Sequence, residues 1–166
     1  LEGKNSLKKI ISGGQTGVDQ AALQAAIDCH IEHGGWCPPG RTCEDGVIPD
    51  RFNLDETPVE RDSSAPSIPR SQRTIWNVRD ADGVLIFSDS QSDKGTRLAI
   101  DTAIELKKPY LVLNSSGNLA VDQIWGWISE NSISILSVGG PSERISPGIY
   151  GRVHSLLMKI LGETKS

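Results

Sequence analysis

The sequence predicts an α/β protein, a three-layer Rossmann-like sandwich on a mainly parallel sheet of about five strands. Short apolar runs alternate with helix-period stretches along the whole chain. Most of these runs end in glycine and short polar residues, the composition of a turn into a helix. No run approaches the roughly 20 apolar residues that a membrane-spanning helix needs. Strands that alternate with helices pair in parallel, and the crossover helices then cover both faces of the sheet.

Lys8 to Gly14 reads as the first strand and its turn, and Thr16 to Cys29 sets Val18, Ala21, Ala22, Ala25, Ala26 and Cys29 at helical spacing. Ile31 to Trp36 supplies a further short strand, weakened by two glycines and a histidine. Pro38 to Ser71 is rich in Pro, Ser, Asp and Arg and lacks a period, so only short local structure is expected there. Within it Asp62 to Ser71 is the expected mobile part, a lid or a surface loop. A helix carrying Arg73 to Arg79 precedes the strand Gly83 to Ser88. The remaining pairs are the helix Gly95 to Lys107, the strand Pro109 to Asn114, the helix Leu119 to Asn131, the strand Ser134 to Gly140 and the helix Pro147 to Leu161. At 166 residues the chain is expected to form one domain over 1–166. Residues 1–6 are expected to be disordered or processed, because the chain opens on Leu1 rather than Met, and they stay outside the functional reading.

Seventeen Lys and Arg against twenty-one Asp and Glu give a formal charge of −4, an unfavourable field for a polyphosphate backbone, so nucleic acid is a poor partner. Cys29, Cys37 and Cys43 contain no C-x-x-C pair, which points away from a disulfide framework and towards a reducing, cytoplasmic compartment. Their spacing from His30 and His33 fits no zinc pattern, so no structural metal is expected and buried thiols with surface imidazoles are the simpler reading. Trp125 and Trp127 point to different sides of one helix, one buried and one at an interface, which favours a homo-oligomer.

Ligands of open parallel sheets bind beyond the carboxyl ends of the strands. The exits read Gly13-Gly14-Gln15-Thr16-Gly17, Ser88 to Thr96, Asn114-Ser115-Ser116-Gly117 and Gly139-Gly140-Pro141-Ser142-Glu143. A glycine turn feeding a helix directs free N–H groups and the positive end of the helix dipole at whatever lies above, which suits a phosphate. Thr16 as a plain helix cap with Asp19 behind it accounts for the same residues. The segment matches neither G-x-G-x-x-G nor G-x-x-x-x-G-K-[ST], so ordinary dinucleotide binding and Walker-type hydrolysis are disfavoured. Gly95 and Thr96 offer a second helix start facing the same crevice, and Gly140 a third close approach. Every Lys or Arg between Ile10 and Asp93 is arginine, and Arg73, Trp76 and Arg79 at i, i+3, i+6 are expected near one face, two oxyanion-binding forks beside a ring that stacks on a heterocycle. Asp19, Glu44, Asp45, Asp80 and Glu143 are the carboxylates available for acid or base work, none singled out by pattern.

Four segments carry a family likeness: Ile11 to Asp19, His33 to Pro38 through Glu44-Asp45-Gly46, Gln72-Arg73-Thr74 with Trp76 to Asp80, and Gly139 to Arg144 leading to Pro147 to Tyr150. Together they resemble the molybdenum cofactor carrier protein family, part of a wider Rossmann-like group with the lonely-guy nucleotide hydrolases and bacterial DNA-processing proteins. The resemblance implies a carrier of molybdenum cofactor, holding a phosphorylated pterin or a similar nucleotide-like anion on Gly13, Gly14, Gln15, Thr16, Gly17, Gly95, Thr96, Arg73, Trp76, Arg79 and Gly140. The alternative is an enzyme or sensor of a nucleotide-derived small molecule, a hydrolase of a nucleotide or N-glycosidic bond. The lonely-guy motif P-G-G-x-G-T-x-x-E is not met, since Asp93-Lys94 precede Gly95-Thr96 and Ala99 stands at the glutamate position.

Overall fold

The computed structural model describes residues 6–89, 93–118 and 121–162. Strand β1 (Lys9–Ile11) leads to helix α1 (Val18–Asp28) and strand β2 (Glu32–Gly34). The excursion follows, with β3 (Trp36–Cys37), β4 (Thr42–Cys43), β5 (Gly46–Val47) and β6 (Asp55–Glu56). Then come α2 (Ser71–Asp80), β7 (Gly83–Phe87), α3 (Lys94–Glu105), β8 (Tyr110–Leu113), α4 (Val121–Glu130), β9 (Ile135–Gly139) and α5 (Ile149–Gly162). The expected residues Ser90, Gln91, Ser92, Leu119 and Ala120 lie outside the described residues.

The main sheet has five strands in the order β2-β1-β9-β7-β8, every neighbouring pair parallel. All five residues of β7 are buried, and their alternation builds the layers. Leu85 and Phe87 join Ile10, Leu136 and Val138 under α1, α4 and α5. Val84 and Ile86 face the other way, onto Val78 of α2 and Ala99 and Ala103 of α3. This is the three-layer α/β sandwich that the alternating pattern predicts. Ala21, Ala22, Ala25 and Ala26 are fully buried, so α1 meets its neighbours with small side chains and packs close. Trp125 is also buried and donates its Nε1–H to the Ile160 carbonyl at 3.2 Å, while Trp127 is half-buried against the same cluster.

The excursion is more ordered than its composition predicts. Parallel β3–β6 and antiparallel β4–β5 ribbons frame a second apolar cluster of Leu23, Cys37, Cys43, Ile48, Phe52 and Leu54. Arg41 ties it by donating from Nη2 to the carbonyls of Pro49 at 3.0 Å and Phe52 at 2.9 Å. Asp62 to Ser71 is a knotted strap, because the first turn of α2 satisfies its polar groups. Ser71 Oγ donates to the Ala65 carbonyl at 3.0 Å and accepts the Asp62 N–H at 2.8 Å, and Gln72 Nε2 donates to Asp62 Oδ2 at 3.2 Å.

Candidate functional site

The strand order sets the place to look. β1 crosses over to β2 on one side, β7 to β8 on the other, and β9 returns between them, so the connections diverge above the carboxyl ends of β1, β9 and β7. A cavity of about 280 Å³ lies there. Val78, Val84, Ile86 and Ala99 form an apolar wall, and Ile68 to Arg70 of the strap close one side. Ser12, Gly13, Asp19, Arg73, Asn77 and Ser137 bring polar groups, and Asp93 to Thr96 bring the start of α3.

Asp19 and Arg73 dominate its chemistry. Arg73 Nη1 donates to Asp19 Oδ2 at 2.8 Å, with 15% and 4% of the two side chains exposed. Burial pushes the Asp19 carboxyl above the ordinary aspartate value, against the pull of Arg73, of the Gln15 N–H at 3.2 Å and of the Ser12 hydroxyl; Asp93 adds to the rise. Arg73 Nε is sealed from solvent and has no hydrogen-bond partner among the described residues.

The predicted turn is present, but its groups serve several masters. The Gln15 N–H goes to Asp19, and the Thr16 N–H goes to Gln15 Oε1 at 3.0 Å. Thr16 does not cap α1. Its Oγ1 donates to Glu44 Oε1 at 2.5 Å and accepts the Glu143 N–H at 3.2 Å, and Gly17 is the capping residue at φ 81°. A Cβ on Gly17 would lie 2.6 Å from the Pro141 carbonyl oxygen and 2.7 Å from Glu143 N, so this glycine clasps α1 to the exit of β9. Gly14 packs against Ile48 and Leu54 of the excursion, and Gly140 against the Phe87 carbonyl and Val18. At Gly13 a side chain would collide with the Arg73 guanidinium, so its bareness makes room for the ion pair.

At α3 the pattern repeats. Asp93 is the N-cap, its Oδ2 accepting the Thr96 N–H at 3.2 Å and its Oδ1 the Thr96 hydroxyl at 2.5 Å. Further along the rim, Asp89 accepts from the Ser115 and Ser146 hydroxyls and from Arg152 Nη2, and those bonds, with the nearby Arg152 charge, hold its carboxyl below the ordinary value. Glu143 takes the N–H groups of Gly148 and Tyr150 at the start of α5.

Of the predicted set, Gly13, Gln15, Arg73, Gly95, Thr96 and Gly140 line the cavity, whereas Gly14, Thr16, Gly17, Trp76 and Arg79 do not. Arg79 at i+6 sits about 120° around the helix from Arg73, at about 100° per residue, and Trp76 at i+3 sits about 60° away on the side towards Arg79. They belong to an outer cluster, where Trp76 meets Trp36 edge-on at 4.8 Å and carries the Arg79 guanidinium at 4.4 Å. Asp80 binds Arg79 Nε and Trp36 Nε1 there, and those bonds lower its carboxyl. Ser12, Asn77, Asp93 and Ser137 line the cavity but were absent from the predicted set, and Asp19 rises above the other candidate carboxylates. A polar residue in an otherwise apolar strand was the available signal for Ser12 and Ser137.

The model of the family described as "Circularly permutated YpsA SLOG family" matches residues 10–161. No curated protein matches the chain. A solved structure, "Putative molybdenum carrier protein" from Syntrophus aciditrophicus SB, is similar with TM-score 0.83 and 37% identity, covering 94% of this chain and 95% of that one. Both agree with the resemblance read from the four sequence segments, and with a parallel sheet whose polar groups meet above its central strands, the chain belongs to the circularly permutated YpsA SLOG family.

Proposed function

We propose that the protein is a small-molecule carrier and that its cargo is the phosphorylated pterin of molybdenum cofactor, seated in the cavity above β1, β9 and β7. The observation that carries the reading is Arg73. Its guanidinium lines a cavity with an apolar wall for a flat ring and gives its protein partner Asp19 a single N–H, which leaves donor capacity for an incoming oxyanion. Gly95 leaves the rim open to close approach, and Lys94 adds a cation at the start of α3. The name of the 37%-identical solved protein, a molybdenum carrier, supports the same class. The residues fit such a cargo: arginine for oxyanion, amide and hydroxyl groups for ring heteroatoms, aliphatic side chains for the ring face.

Fluorescence titration of a phosphorylated pterin tests the reading. The wild type binds one equivalent, and Ala99→Leu, which fills the apolar wall without touching a polar group, weakens binding at least about tenfold. Equal affinity in a folded Ala99→Leu variant removes the cavity from the site. Native mass spectrometry of freshly purified protein reports whether a pterin mass is retained.

One observation favours a second reading, an enzyme acting on a nucleotide-derived small molecule. Asp19 is a buried carboxyl raised by burial in a cleft, the setting of an acid–base group. Turnover of a nucleotide panel that disappears in Asp19→Asn selects it over the carrier. Three buried free cysteines support a reducing, cytoplasmic compartment. Exposed Ile104, Leu106, Tyr110 and Val112 around edge strand β8 support a homo-oligomer.

A further inference from the structure

The rim of the sheet is rich in donors, and the chain fills most of them with its own carboxylates: Asp93 at α3, Glu143 at α5, Asp89 at Arg152. Among the described residues, the ion pair that lies inside the cavity is Asp19 on Arg73. The pair is unequal. Asp19 also draws on the Gln15 N–H, whereas the Asp19 bond is the only side-chain hydrogen bond Arg73 makes among the described residues. A guanidinium has five N–H groups and grips oxyanions two at a time, so Arg73 is under-used by its protein partner. Asp19 meanwhile has a neutral form within reach, because a buried carboxyl gains most by losing its charge.

We propose that Asp19 stands in for the ligand's oxyanion: a tetrahedral dianion of the sulfate or phosphate type enters the cavity by taking over Arg73, and Asp19 takes up one proton from solvent as it is released. The step is an exchange of non-covalent partners. Arg73 keeps its charge, the anion replaces the carboxylate as its acceptor, and the carboxyl becomes a neutral donor. The claim rests on the carrier reading only for the cavity's being a binding site, and it names the chemistry of the group that is gripped.

The groups around Asp19 decide how cleanly this can be read. Arg73 from α2 and Asp93 from the start of α3 act on Asp19, Lys94, Glu44 and Arg70 line the same cavity, and Ser12 after β1 and Ser137 in β9 bring hydroxyls. No histidine lines the cavity. For Glu44, burial works upward but hydrogen bonds from Thr16 and the Arg144 N–H keep its carboxyl below the ordinary value, so it is not the source of proton uptake near neutrality.

Sulfate is the probe, because it does not titrate in this range. Isothermal titration of sulfate into the whole chain at pH 7, in two buffers of different ionisation enthalpy, counts the protons taken up on binding. Proton uptake on sulfate binding is expected, with affinity falling as pH rises. Asp19→Asn, which keeps the shape and removes the competing charge, is expected to bind sulfate at least about tenfold more tightly at pH 7.5, without proton uptake, and Arg73→Gln to lose binding. Sulfate binding by the wild type with no proton uptake overturns the proposal and needs no variant, and so does the absence of sulfate binding by both the wild type and a folded Asp19→Asn. A phosphorylated pterin that fails to bind while sulfate binds with proton uptake defeats the carrier reading and leaves this one standing. Pterin binding without proton uptake, in a protein that also takes sulfate without it, does the reverse.

Discussion

Helix α2 carries two Arg–Asp pairs of identical length and opposite character. Arg73–Asp19 and Arg79–Asp80 are both 2.8 Å pairs, but the first leaves 15% and 4% of its side chains exposed and the second 47% and 42%. The inner pair joins two helices that start 53 residues apart, at Val18 and Ser71, beneath a cavity. The outer one links neighbours in sequence, with the Arg79 guanidinium over Trp76. Distance alone would rank them equal. Burial separates them, because water screens the outer charges far more than the inner ones, so an unpaired group is costlier inside.

The sharpest way to break this contrast is to remove one inner partner. Arg73→Met leaves Asp19 buried without its cation and is expected to cost about 3 to 5 kcal/mol in urea unfolding at pH 8. The pH sign follows from the raised Asp19 carboxyl, since the folded protein holds that proton more tightly than the unfolded chain does. The stability it contributes is therefore full below the ordinary aspartate value and is lost as pH rises through the raised one. Arg73→Met exaggerates this, so its deficit should shrink between pH 8 and pH 5, and a deficit independent of pH would mean that Asp19 is not the group left behind.

Next in size is the clasp that holds the helix bearing Asp19. Gly17→Ala places a methyl against Pro141 and Glu143 at a φ of 81° and is expected to cost roughly 2 kcal/mol by thermal or urea unfolding. A neutral result would show that the exit of β9 can yield, and that the inner pair does not depend on it. Smallest is the outer pair. Asp80→Asn is expected to lose less than about 1 kcal/mol, to lose it only at low salt, and to leave pterin titrations unchanged. A change in cargo affinity there would draw the outer cluster into the site.

The strand–helix alternation was fully legible, because parallel strands buried on both faces read as plain apolar runs such as Val84 to Phe87. The order β2-β1-β9-β7-β8 was not, since nothing local tells the last strand to return to the centre. Within the site, Gly13 and Arg73 were legible as types but not as a contact: one is bare so that the other can pass, a relation across 60 residues that no window of sequence contains. Arg79 is hard to place because i+6 spacing drifts about 120° off the face of Arg73, and Trp76 between them is drawn to Trp36, a partner distant in sequence. In sequence Asp19 reads equally as part of a helix cap and as one of five candidate acid or base carboxylates, and its burial beside Arg73 distinguishes it from Asp80 or Glu143.

The central place of β9 also bears on how the chain assembles. Strands β1 and β7 do not touch each other in the ladder, each pairing with β9 between them, so within the sheet the early β2–β1 half and the later β7–β8 half meet through residues 135–139. During synthesis both halves must wait with open apolar edges until residues 135–139 have emerged, a non-local topology of the kind that folds slowly and invites mispairing.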